Sequence, residues 1–99
     1  MNYAVIYEYC TDQAKIAAHR PAHRQHLNAL LANGQLLASG PFTDDSGALI
    51  VYHASNEHEL KTFITSDPFH HAGIIVRWQI KHWKVVYGNR QLLPDGGPQ

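Results

Sequence analysis

His23 is the residue of this chain best prepared for chemistry. It sits in the run Arg20-Pro-Ala-His-Arg-Gln-His-Leu, and Leu27, Leu30 and Leu31 follow it at spacings of four, seven and eight. That is the repeat of a single helical face. An imidazole on such a stripe is either satisfied by an internal partner or lines a pocket. Arg20, one turn earlier, can clamp an anionic group near a helix start, or it is a solvated surface arginine. The Ser39 hydroxyl and the backbone at Gly40 and Pro41 can orient a ligand oxygen. The plainer reading of those three is a strand end punctuated by Gly-Pro. Nothing around Ser39 resembles the elbow of a covalent nucleophile.

His19, His23 and His26 have the i, i+4, i+7 spacing that presents ligands to one metal ion. Zinc sites built on such pairs carry a further ligand and a local motif. His70 and His71 would complete a site only if the fold brought them close. No metal and no cofactor is expected.

The elements that must position these groups follow from periodicity and breakers. Residues 3–10 alternate as a strand, with Tyr3, Val5, Tyr7 and Tyr9 on one face. A polar, partly helical connection over residues 11–18 leads to a helix with Pro21 in its first turn. That helix runs to residue 33, and Gly34 is its left-handed stop. Residues 36–42 and 48–54 form a hairpin around the turn cluster 43–47. Asn56 caps a second helix, Glu59 completes a capping box, and Leu60, Phe63 and Ile64 are its apolar face. Asp67-Pro68 ends it. A last strand begins near Ile74, with Ile75, Arg77, Gln79 and Lys81 on the face opposite Val76, Trp78 and Ile80. Residues 1–87 are read as one domain and residues 88–99, rich in Gly and Pro, as a loose tail.

The order β-α-β-β-α-β makes an α+β, ferredoxin-like, four-stranded antiparallel sheet with both helices on one face. The other face, carrying Ile6 and Ile75, then lacks cover, and a second copy of the chain supplies it most economically. Ninety-nine residues fit one domain of modest core. Eight basic residues balance eight acidic ones, so nucleic acid and membrane are not expected partners. A single cysteine, no secretory leader and no long apolar run point to a cytoplasmic protein.

Arg20-Pro-Ala-His23, Leu27, Gly34, Gly40-Pro41, Asp67-Pro68-Phe69, Ala72-Gly73 and Trp83 together resemble the YciI-like, YCII-related proteins, over about residues 3–84. The resemblance implies a homodimeric α+β barrel, related to small cofactor-free enzymes, and an active site of one His and one Asp, here His23 and Asp67. It also implies that the fold can host lyase chemistry on aromatic rings, since one branch removes chloride from a chlorinated hydroxyhydroquinone. Arg24 and His26 stand where the family pattern usually has apolar or aromatic residues.

In such a pair the carboxylate fixes the imidazole tautomer and supports its basicity, so that the free nitrogen can move a proton near neutral pH. A purely structural pair is the competing reading. The function expected is a lyase or isomerase acting on a small cyclic or aromatic ligand, with a metabolite-binding or structural dimer as the alternative.

Overall fold

The four inward residues of the first strand organise the chain. In the computed structural model, which describes residues 1–88, the elements are β1 (Asn2–Tyr9), α1 (Gln13–Ala32), β2 (Leu36–Pro41), β3 (Gly47–His53), α2 (Glu57–Thr65), α3 (Pro68–His71) and β4 (Ile75–His82). The strands form one antiparallel sheet in the order β2-β3-β1-β4, the ferredoxin-like arrangement expected. Tyr3, Val5 and Tyr7 of β1 lie opposite Tyr52, Ile50 and Ala48 of β3. With Tyr9, these side chains pack against Ile16 and Leu30 of α1, Leu60 and Ile64 of α2, and Phe69 of α3 to form the core. On the opposite face Ile6 and Leu49 remain 40% and 42% exposed. Val51 and Val85 are buried without joining the helix-side core.

Ile75 departs from the sequence reading. It is buried in the helix-side core, whereas Val76 is 52% exposed. The register of β1 against β4 shifts between Glu8 and Tyr9, so that Tyr9 pairs with Ile75 while Glu8 pairs with Arg77. This bulge inserts a residue and turns the alternation over at that point. Beyond it Trp78 and Ile80 return to the core side.

The first helix is also longer than its proline suggested. It starts at Gln13, where Asp12 is the N-cap and accepts from the Lys15 N–H at 3.1 Å, and Pro21 lies in its interior. An interior proline forfeits one backbone bond and costs about 3 kcal/mol. The helix persists because both halves are anchored, by buried Ile16 before the proline and by buried His23 and Leu30 after it. Its end is as read: Gly34 has φ +74°, and the Gly34 and Gln35 N–H groups reach the Leu31 and Leu30 carbonyls, a Schellman closure.

Asn56 caps α2 by accepting from the Glu59 N–H at 2.8 Å, but the Glu59 carboxylate reaches back to the Ser55 N–H rather than to Asn56. Leu60, Phe63 and Ile64 are its buried face. Of the tail expected over residues 88–99, all but Gly88 lies outside the described residues. Among the described residues no helix is long and apolar enough to cross a membrane.

Candidate active site

Asp67 does more than end a helix. It is the N-cap of the short helix α3, and its Oδ1 accepts from the Phe69 N–H at 2.9 Å while Pro68 fills the first helical position. This fixes a completely buried carboxylate against the flank of α1. His23 meets it there, with Nδ1 at 2.8 and 2.9 Å from the two oxygens. An ionised carboxylate accepts both bonds, so Nδ1–H is the donor, and in the neutral ring Nε2 is left with the lone pair. The imidazole also lies flat on Phe69, centroids 3.9 Å apart and planes 1° from parallel. Edge and face are thus both held, by residues two apart in sequence.

His23 lines a cavity of about 530 Å³ between α1 and the β2 edge of the sheet, a size typical of small-molecule sites. Arg20, Arg24, Leu27 and Leu31 form the α1 wall, and Ser39, Gly40 and Pro41 with Leu36 form the β2 wall. Tyr9 and Phe69 are its aromatic lining, and Asp45 of the β2–β3 turn stands at the margin. The structure therefore brings His23, Arg20, Ser39, Gly40 and Pro41 to one cavity, with Asp67 directly behind the imidazole.

Leu31, Asp45 and Phe69 line the cavity without having been singled out for a site from the sequence. Tyr9 alternates with core residues on β1 and reads as one of them. Its phenol is pushed up to about 12, first by burial and then by the negative charge of Asp67, against a smaller lowering by Arg20. It is a hydroxyl donor throughout the neutral range. Deeper in the core the Tyr7 and Tyr52 hydroxyls bond each other at 2.8 Å, and burial holds both well above the ordinary phenol range.

The histidine series along α1 does not converge. His19 Nδ1 bonds the Lys15 carbonyl, His26 Nε2 bonds the Phe63 carbonyl of α2 at 2.9 Å, and His23 is taken by Asp67. His70 packs edge-on to Trp78, centroids 5.5 Å apart. Among the described residues no group of three His, Cys, Asp or Glu side chains is arranged to hold a metal ion.

Residues 1–84 match the YCII-related domain. No curated protein matches the chain. Among solved structures, the chain is similar to the 5-chloro-2-hydroxyhydroquinone dehydrochlorinase of Burkholderia phenoliruptrix, determined in complex with 2,5-dihydroxybenzoquinone. The two share 23% identity at a TM-score of 0.76, over 91% of this chain and 98% of that one. At that identity the likeness is one of fold.

Proposed function

The chain belongs to the YCII-related domain family, and from that premise we propose that it is a small-molecule enzyme, a lyase or isomerase, in which His23 and Asp67 move a proton on a cyclic or aromatic substrate. The observation that carries this reading is the 2.8 Å bond from His23 Nδ1 to Asp67 at the wall of a ring-sized cavity. A buried carboxylate bonded to one imidazole nitrogen leaves the other as a base, and stabilises the imidazolium formed when that base is used. Nε2 takes a proton from a ring hydroxyl or an activated ring carbon. In an elimination the leaving group departs with its electron pair, and the imidazolium returns its proton to solvent or product. Charge that collects on a ring oxygen is met by the Tyr9 O–H, with Ser39 and the backbone at Gly40 and Pro41 orienting the ring. Arg20 pairs with an anionic substituent.

The solved dehydrochlorinase with its bound quinone suggests where to begin. 5-chloro-2-hydroxyhydroquinone, other halogenated hydroxyhydroquinones and cyclic enols are offered to the chain, and chloride release or the change in ring absorbance is followed. Turnover by the wild type is expected to fall at least 100-fold in His23→Gln, the low end of what a general base supplies. Equal rates for the two proteins would end this reading, and saturable binding without turnover would favour the metabolite-binding alternative.

We propose further that the chain is a homodimer joined through the sheet face that carries Ile6 and Leu49. Exposed apolar side chains on one face of a four-stranded sheet are the support for this. Leu49→Asp buries a charge in that interface and is expected to yield monomers in sedimentation equilibrium. An unchanged mass in the variant, or a monomeric wild type, would refute it.

A further inference from the structure

We propose that the cavity selects ring compounds that carry an oxyanion, and that Arg20 and Arg24 together form the clamp that recognises the charge. This rests on the reading of the cavity as a substrate site and goes beyond it by naming the substrate class and a second specificity residue.

Two guanidinium groups line one cavity, and neither makes a hydrogen bond or ion pair with any described residue. Ion pairs lie elsewhere among the described residues, as at His23–Asp67 and Arg77–Glu8. Arg20 and Arg24 are four residues apart on one helix, the spacing at which like charges repel. Among the described residues no carboxylate pairs with either. Asp45, the acid among the lining residues, is exposed on its turn and pairs with neither. Arg20 is half-buried, and its charge is felt by the cavity phenol of Tyr9, so it bears on the inside of the site rather than on bulk solvent. Arg24 is exposed at the mouth.

Leu27, Leu31 and Leu36 line the same cavity, an apolar surface that fits a ring better than a small inorganic ion. A planar guanidinium matches a carboxylate or an ionised ring hydroxyl two bonds at a time, which a lysine would not. A ligand anion relieves the repulsion that the empty pair leaves, and its ring covers the leucines. The cavity thus combines two cations with apolar surface, matching the two features that a ring carboxylate or enolate presents.

The test is an amide NMR titration of the full chain with three probes: benzoate, its neutral isostere benzamide, and inorganic phosphate. Benzoate is expected to shift the Tyr9, Ser39 and Gly40 amides saturably and to bind about tenfold tighter than benzamide, with the difference shrinking as salt is raised. Arg20→Gln and Arg24→Gln each remove most of that preference and leave benzamide binding unchanged. Arg24→Lys restores part of it, which separates loss of charge from loss of fold. The unliganded Gln variants are expected to melt no lower than the wild type, because a like-charge pair has been removed. Benzamide binding as well as benzoate, Gln variants that bind benzoate like the wild type, or phosphate competing on equal terms with benzoate would each overturn the inference. In His23→Gln the benzoate preference persists. An anion preference with no turnover therefore counts against the acid–base reading alone, and turnover with no anion preference counts against this inference alone.

Discussion

Replacing Asp67 by Asn is expected to lower turnover by about 10²–10⁴-fold while the protein stays folded. The substitution is nearly isosteric, and the Asn side-chain oxygen can still accept from the Phe69 N–H, so the cap of α3 survives. What changes is the imidazole. Asn brings two N–H donors to a position where His23 Nδ1 now finds only acceptors. An Asn N–H that donates to Nδ1 forces the proton onto Nε2, and the nitrogen at the cavity ceases to be a base. The imidazolium also loses the buried negative charge that supports it. Both effects act on the proton-transfer step and neither acts on ring binding, so kcat falls and KM does not. Asp67→Ala differs, because it also removes the cap and leaves His23 Nδ1 without a partner. A stability loss of about 2–4 kcal/mol is expected there, read as a lower denaturation midpoint. An Asn variant that turns over like the wild type would remove Asp67 from the mechanism.

Gly47→Ala is expected to destabilise the fold by about 3 kcal/mol or more. A Cβ at position 47 would collide with the Tyr7 carbonyl oxygen, and it would lie 2.8 Å from the Tyr7 carbonyl carbon and 3.3 Å from Glu8 Cα. All of these are backbone atoms of β1, which is paired on both sides: Tyr7 lies opposite Ala48 of β3 and Trp78 of β4. The strand cannot retreat without opening a ladder, and no flexible side chain is available to absorb the overlap. The same change at Gly40 meets nothing within 4 Å and is expected to be neutral or to stabilise by about 0.4–1 kcal/mol through the unfolded chain. Urea denaturation of the two variants makes the comparison. Equal midpoints would mean that the close approach of β3 to β1 is not a constraint.

The strand order and the helix-side core were legible because they rest on period-2 and period-3.6 patterns that packing rewards directly. Two misreadings have one cause: a strong local signal outvoted a weaker one that tertiary contacts favour. Pro21 is a good helix starter, yet Asp12 caps the helix nine residues before it. Ile75 alternates correctly with Arg77 in sequence, yet the bulge at Glu8 and Tyr9 places it in the core. A bulge leaves no mark in composition.

The chemistry was legible in a similarly partial way. The buried stripe Ile16, His23, Leu30 has beside it a second stripe, Arg20, Arg24, Leu27, Leu31, at spacings of four, three and four. That second stripe is the cavity wall; in the sequence Leu27 and Leu31 read as part of the His23 face, and Arg20 alone reads as a binding residue. Tyr9 could not be singled out among the tyrosines of the first strand, because an aromatic residue on the apolar side of a strand gives no sign that its ring ends at a cavity. Nor was the tie between Asp67 and Phe69 visible, through which one short helix sets both the carboxylate and the ring beneath the imidazole.

The central claim is that Asp67 holds His23 as the Nδ1–H tautomer, with the Nε2 lone pair turned to the cavity. Long-range ¹H–¹⁵N correlation of the histidine rings, at a pH where the imidazoles are neutral, tests it most directly in the wild type and in Asp67→Asn. The account predicts a protonated Nδ1 and an unprotonated Nε2 for His23 in the wild type, and a move of the proton toward Nε2 in the variant. A wild-type His23 with its proton on Nε2, or a ring whose tautomer ignores the substitution, would contradict it.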